Sequence, residues 1–303
     1  MTTLKAGTRG SQLAWTQAGQ ALEAIASRVG GSASFERVRI DTRGDRDRST
    51  SLKVMPGSGL FTKEIEAALL SGEVDLAIHS LKDVPFDVQP GTELHMLPRE
   101  DPRDALISRH GGFDALPEGA LVGTGSPRRI AQLRNRRPDL RFSDIRGNLD
   151  TRLRRLDEGE YDAIVLASAG LSRLGWTDRI AERLDPGICL PAFGQGVLAV
   201  QCLAGSDVSI LLEEASDPDT TLCAELERVL MRALGGGCKR ALAALAETTP
   251  EGVRVRGAVG DPRTGGVVRL SWTGPRDAAR AGVERLALDL LDAAREAGLD
   301  ADS

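Results

Sequence analysis

Ala120-Leu121-Val122-Gly123-Thr124-Gly125-Ser126-Pro127-Arg128-Arg129 is the stretch whose reading decides the fold. A short apolar strand runs into a Gly-Thr-Gly-Ser turn, and a proline suited to the first helical position opens a helix. Gly7-Thr8-Arg9-Gly10-Ser11 is an earlier echo. It lies between a strand predicted at Thr3 to Ala6 and a helix carrying Ala14, Ala18, Ala21, Leu22, Ile25 and Val29. Ser11 is the expected N-cap of that helix. A second echo pairs Gly72-Glu73-Val74-Asp75 with Gly159-Glu160-Tyr161-Asp162, each leading into an apolar strand. Two similar α/β units are implied.

Outward from these turns, Glu36 to Ile40 reads as a strand and the polar segment 41–58 as a mobile loop, with 43–58 a candidate lid. Phe61 to Ser71 reads as a helix and Val74 to Ile78 as a strand. The turn His79-Ser80-Leu81-Lys82-Asp83-Val84-Pro85 then places Lys82 and Asp83 just past a strand's carboxyl end. Leu97 to Pro102 is a hinge candidate. Leu190-Pro191-Ala192-Phe193-Gly194-Gln195-Gly196 is a candidate return crossing into the apolar run Val197 to Val200. Ser216-Asp217-Pro218 starts a helix that ends at Gly235-Gly236-Gly237-Cys238. Strands near Val253 to Val259 and Val267 to Trp272 and a helix over Arg276 to Ala297 complete a small α+β region. The expected division is residues 1–98 with 197–215, residues 99–196, and residues 216–303.

The 303-residue length suits two or three domains, and 41% apolar with 27% charged residues is the balance of a globular chain. No run of eighteen apolar residues exists, so no membrane partner is expected. The start lacks the regions of a secretion signal, and a cytoplasmic location is expected. Cys189, Cys202, Cys223 and Cys238 are widely spaced with no CxxC pair, which predicts reduced thiols and no metal. A net charge of −5 argues against nucleic acid. Only Lys5, Lys53, Lys63, Lys82 and Lys239 are lysines among 39 basic residues, so cation recognition rests on guanidinium groups, which match carboxylates with paired hydrogen bonds.

Open α/β sheets bind ligands beyond the carboxyl ends of their strands. Arg9, Arg128, Arg129, Arg146, Arg152 and Arg173 all fall in or beside such turns, and a cleft for a ligand with several anionic groups is expected. No Lys-Ser or Lys-Thr follows the glycines, which disfavours a nucleoside triphosphate. Asp83 reads as a general acid/base, a stabiliser of positive charge, or a turn residue. His79 reads as a satisfied histidine near the core. Cys238 sits among glycines beside Lys239 and Arg240, a setting that favours a nucleophilic thiolate. The other three cysteines read as packing.

The motifs 79–85, Gly123 to Arg129, Arg146-Gly147-Asn148-Leu149-Asp150-Thr151-Arg152 and Leu190 to Gly196, with Gly236-Gly237-Cys238 downstream, resemble the porphobilinogen deaminase family nearly end to end. The resemblance implies two doubly wound α/β domains like type II periplasmic binding proteins, plus a small α+β C-terminal domain. It implies a dipyrromethane primer attached to Cys238 by a thioether, and stepwise condensation of four porphobilinogen molecules into hydroxymethylbilane. Asp83 matches the catalytic acid. Arg9, Ser11, Lys82, Thr124, Ser126, Arg128, Arg129, Arg146, Arg152 and Arg173 match positions that hold cofactor or substrate carboxylates, with Phe61 and Gln195 in support. A monomer is expected. The family's usual flap lysine is replaced in Pro56-Gly57-Ser58-Gly59, and the usual residues after Cys238 are replaced by Lys239-Arg240-Ala241-Leu242-Ala243. The paired α/β units alone also suit a non-catalytic anion receptor of the periplasmic-binding type. A regulatory effector-sensing domain is disfavoured because no helix-turn-helix segment precedes the fold.

Overall fold

The computed structural model describes residues 2–31, 33–42, 62–235 and 241–299. The candidate lid, Phe61 and Cys238 lie outside the described residues. The chain forms two compact units. One comprises Met1–Glu100 with Val197–Ala224, and the other Asp101–Gly196 with Glu225–Ser303.

The first unit is built on a five-stranded sheet. Its strands are β1 (Thr2–Arg9), β2 (Ala33–Ile40), β3 (Leu76–Ser80), β4 (Thr92–Met96) and β10 (Leu198–Leu203), in the order β2-β1-β3-β10-β4. β1 runs parallel to β2 and β3, whereas β10 is antiparallel to both its neighbours. Helix α1 (Gln12–Arg28) buries Ala18, Ala21, Leu22 and Ile25 against Ala6, Leu76, Ile78 and Val200. Those positions recur at helical spacing, which is why this segment folds as a helix with one face on the sheet. Ser11 caps it as expected, its hydroxyl accepting from the Ala14 N–H at 3.3 Å. Ser11→Ala should cost about 1 kcal/mol of unfolding free energy in urea titration. No change in the urea midpoint would show that the cap contributes nothing.

The second unit repeats this plan. Its sheet comprises β5 (Asp104–Ser108), β6 (Leu121–Gly123), β7 (Arg141–Ser143), β8 (Ala163–Ala167) and β9 (Glu182–Arg183), in the order β7-β6-β8-β5-β9. Strand for strand the order matches the first sheet, and β5, like β10, is antiparallel to its neighbours. The repeat read from sequence extends to single hydrogen bonds. Gly72 and Gly159 both adopt positive φ, 75° and 83°, which glycine does without steric cost. After them the Asp75 carboxylate accepts from the Lys5 N–H and the Asp162 carboxylate from the Leu121 N–H, each at 2.7 Å. A Cβ at Gly123 would lie 2.8 Å from Tyr161, and one at Gly7 would lie 3.0 Å from Ile40 and 3.1 Å from Val74. The glycines that open both turns are therefore also places of close packing.

The same unit holds an antiparallel sheet of β11 (Ala241–Thr249), β12 (Gly252–Gly260) and β13 (Val267–Gly274). The other helices of the chain are α2 (Lys63–Leu70), α3 (Pro127–Arg136), α4 (Leu149–Asp157), α5 (Ser168–Arg173), α6 (Asp207–Ala215), α7 (Pro218–Ala233) and α8 (Ala279–Glu296). A Cβ at Gly257 of β12 would lie 2.5 Å from Leu290 and 3.0 Å from Leu230, so α8 and α7 pack closely on that sheet.

One expected boundary is corrected, and two strands are unforeseen. His79 and Ser80 belong to β3 rather than to the turn, because pairing with β10 (Ala199 with His79, Leu198 with Ser80) extends the strand. Part of the hinge candidate leads directly into an unforeseen strand, β5, held by β8 and β9. The alanine-rich segment after Arg240 is the nine-residue strand β11, also unforeseen.

Candidate functional site

In the first unit, Arg9 ends β1, Ser80 ends β3, and a single 3-10 turn, Leu81–Asp83, follows. Leu81 is fully buried, which holds the turn down and leaves Lys82 and Asp83 half-buried beside it. A small cavity is lined by Arg9, Gln17, Thr62, His79, Ser80 and Asp83. The structure thus brings Arg9 and Asp83 together, as the sequence implied. Gln17, Thr62 and Ser80 were not foreseen. Gln17 faces the site because it lies on the inner side of α1, where its Oε1 accepts from the Ser80 hydroxyl at 3.2 Å. Ser11 is spent on its cap, and Lys82 sits in the turn with Asp83.

Behind the cavity His79 is buried, its Nε2–H donating to Gln201 Oε1 at 3.0 Å. Gln201 in turn donates to the Thr92 hydroxyl at 2.8 Å and to Glu66 at 3.4 Å. Burial lowers the His79 pKa to about 4, with the Arg9 charge acting in the same direction and the Gln201 bond opposing it. His79 is therefore neutral at neutral pH, a satisfied core histidine. The unfolded chain takes up this proton near pH 6.5 and the folded one only near 4. The stability it contributes is present above pH 6.5 and is lost as pH falls through that window, by about 3 kcal/mol at 1.4 kcal/mol per unit. His79→Gln should flatten that part of a stability-against-pH curve measured by urea titration. An unchanged slope would contradict the neutral assignment.

In the second unit Thr124, Ser126, Arg128 and Arg129 follow β6, Arg146 and Arg152 follow β7, and Arg173 ends the helix that follows β8. Thr124 is buried, and its hydroxyl accepts from the Ser126 N–H at 3.3 Å. Pro127 starts α3 as expected. Arg128 and Arg129 then point inward, 6% and 7% exposed, and both reach Asp104 at 2.7 Å. Arg128 also donates to the Leu190 carbonyl and Arg129 to the Val165 carbonyl, each at 2.7 Å. Asp104 has no exposed surface. Gln195 donates to it at 3.0 Å and the Cys189 thiol at 3.3 Å. Burial pushes the Asp104 carboxyl upward, but the two guanidinium charges overcome this and hold it far below the usual carboxylate range. Burial and Asp104 together raise the Cys189 thiol to about 12, so Cys189 is inert packing, as read from sequence. Asp104 escaped notice because it lies in the stretch 101–104 beside the presumed hinge, and no local pattern marks its partners.

Arg146 pairs with Asp144 at 2.5 Å, Arg152 donates to the Gly147 carbonyl at 2.8 Å, and Arg173 donates to the Gly196 carbonyl at 2.7 Å. Burial, and then the neighbouring charges of Arg129 and Arg146, depress Arg152 to about 10, with Asp144 opposing. The Arg152 guanidinium thus lies within reach of two other guanidinium charges. Such a cluster suits a ligand bearing several carboxylates, each able to take a pair of N–H donors. Glu227, also unforeseen, is fully buried. Its carboxylate accepts from the N–H of Gly194 at 2.6 Å and of Ala246 at 2.7 Å, tying the 190–196 turn to β11.

Residues 4–210 match the family model of the porphobilinogen deaminase dipyrromethane cofactor binding domain, and residues 221–292 match the model of its C-terminal domain. A Bordetella parapertussis protein named porphobilinogen deaminase is 46% identical over 95% of this chain and 92% of its own length. One of that name from Gloeobacter violaceus is 44% identical over 98% and 93%, and one from Stenotrophomonas maltophilia 44% over 96% and 97%. Among solved structures, the second substrate-binding domain of a putative amino acid ABC transporter from Streptococcus pneumoniae aligns at 13% identity and a TM-score of 0.44. The alignment covers 78% of this chain and 96% of that one. With matched segments running along almost the whole length, the chain belongs to the porphobilinogen deaminase family.

Proposed function

We propose that Asp83 is the catalytic carboxylate and Cys238 the anchor of the dipyrromethane cofactor in the family reaction, the stepwise condensation of four porphobilinogen molecules with loss of ammonia. The observation that carries this reading is the gathering of guanidinium donors, with Arg129 and Arg146 close enough to Arg152 for their charges to act on it, a set suited to several carboxylates. Each pyrrole brings an acetate and a propionate, so the donor set fits a chain of such rings. The bound dipyrromethane supplies the nucleophilic ring carbon to which substrate is added.

Around it, the residues of this chain bind, orient and stabilise. Arg9, Lys82, Arg146, Arg152 and Arg173 hold carboxylates. Arg128 and Arg129, fixed in place by Asp104, present what remains of their N–H edges. Ser11, Thr124 and Ser126 line the turns, with Gln195 and Phe61 in supporting positions. Asp83 faces the positive charge left on porphobilinogen when ammonia departs, and stabilising charge where it develops is commonly worth about 3 kcal/mol or more in a dry site. The neutral state of His79 matters here, since a protonated imidazole in the same cavity would oppose that charge.

Residues 216–303, with their own three-stranded sheet and helix α8, are proposed as a cofactor-attachment domain beside 1–98 with 197–215 and 99–196. A monomer in the cytoplasm is proposed, the location supported by the buried thiols of Cys189 and Cys202, which a reducing compartment preserves. The receptor alternative rests on a likeness of fold alone. Intact-protein mass tests the anchor. Wild type should carry a dipyrromethane-sized excess that Cys238→Ser lacks, and an excess surviving the substitution would defeat the assignment.

A further inference from the structure

Glu93 and His95 alternate along β4 and so lie on one face of the sheet, and Cys202 of β10 stands directly opposite Glu93 in the antiparallel register. The sulfur of Cys202, a ring nitrogen of His95 and a carboxylate oxygen of Glu93 all lie within 4.8 Å of one another. Cys202 is fully buried, and the other two are partly so. Helix α6 bounds the cluster, with the Ser209 hydroxyl donating to Glu93 and Ser216 following the helix end.

Counting protons shows what the cluster needs. The Ser216 hydroxyl has one hydrogen, and it donates to the Leu212 carbonyl at 2.8 Å. Toward His95 Nδ1, 3.3 Å away, the same oxygen can therefore only accept, which places the ring proton on Nδ1. In the neutral ring Nε2 is then a bare lone pair. That atom is buried without a hydrogen-bond partner, and it faces Glu93 Oε1 at 3.6 Å. A cation between them, either a proton on Nε2 or a metal ion, satisfies both atoms, and the third atom beside them is a sulfur.

We propose that Glu93, His95 and Cys202 bind one zinc-class divalent ion, Cys202 releasing its proton to solvent and ligating as thiolate. A thiolate, an imidazole and a carboxylate form a borderline donor set that selects Zn2+ or Co2+ over Mg2+ or Ca2+. Tetrahedral coordination with metal–nitrogen near 2.0 Å and metal–sulfur near 2.3 Å places donor atoms roughly 3.3–3.8 Å apart. A contraction of about 1 Å from the present spacing suffices, within the reach of side-chain rotation. Solvent completes the shell on the open side of Glu93. Ser216 holds the ring in the ligating tautomer, the usual role of an outer hydrogen-bond partner. The ion cross-links β4 to β10, strands far apart in sequence, and so acts on stability.

The test is a Co2+ titration of chelator-treated holoenzyme. A thiolate-to-cobalt absorption band should saturate at one equivalent, persist in Cys223→Ala, and resist a large excess of Mg2+. It should vanish in Cys202→Ala. Glu93→Gln and Ser216→Ala should weaken cobalt binding about ten- to hundredfold. Zn2+ should raise the melting temperature of wild type and leave that of Cys202→Ala unchanged. The absence of a band at one equivalent, meaning that a proton alone bridges His95 and Glu93, overturns the proposal. So does a band that survives Cys202→Ala, which would place the metal on another thiol.

Discussion

Asp83→Asn should lower turnover of porphobilinogen at least 100-fold while the protein still folds and still shows the dipyrromethane mass excess. Asparagine keeps the size of the side chain and the 3-10 turn over buried Leu81, so packing changes little. What disappears is the negative charge in the cavity shared with Arg9 and His79. Removing one preorganised electrostatic stabiliser commonly costs about 100- to 1,000-fold in rate. Product formation under saturating substrate, together with intact mass, separates the outcomes. Asparagine variants with near-normal turnover would remove Asp83 from its role. Loss of the mass excess would instead place the residue in cofactor assembly.

Asp104→Ala should destabilise the protein by about 3–5 kcal/mol, the largest stability effect expected of any single substitution in the site. The carboxylate is fully buried and receives Arg128 and Arg129 at 2.7 Å, Gln195 at 3.0 Å and the Cys189 thiol at 3.3 Å. Its removal leaves two buried guanidinium groups without their counter-charge. Because the folded-state carboxyl is held far below its unfolded value of 3.8, its contribution is complete above that pH and is lost progressively as acid is added below it. Urea titration at neutral pH gives the magnitude, and repeating it near pH 3 should show the gap between wild type and variant narrowing. A loss under about 1 kcal/mol would mean that the arginines find other partners and that Asp104 does not organise the site.

These two expectations differ in how far the chain itself announced them. Asp83 was visible because local pattern located it, an apolar strand followed by a short turn. Its neighbours Gln17 and Thr62 were not visible, since they arrive from a helix and a distant segment. Arg128 and Arg129 were legible as the first turn of a helix after Pro127. Their burial was not, because it depends on Asp104, some two dozen residues earlier, which reaches them only through the antiparallel placement of β5. The alanine-rich strand β11 was not legible for a related reason. Its composition favours helix, and only pairing along its whole length with β12 makes the extended form the stable one.

Sequence alone therefore determined what is decided within a turn or a helix face. The two glycine-opened units, the Ser11 cap, the proline-started helix and the concentration of arginine at strand ends all follow from short-range sterics and hydrogen bonding. Tertiary structure alone decided what depends on charges and strands distant along the chain. It supplied β10 and β5 as antiparallel fourth strands, the Asp104 hub, the neutral His79 and the juxtaposition of Glu93, His95 and Cys202. The physical reason is that burial and Coulomb interactions act through space, so a side chain's protonation and partners are set by neighbours that sequence order does not reveal.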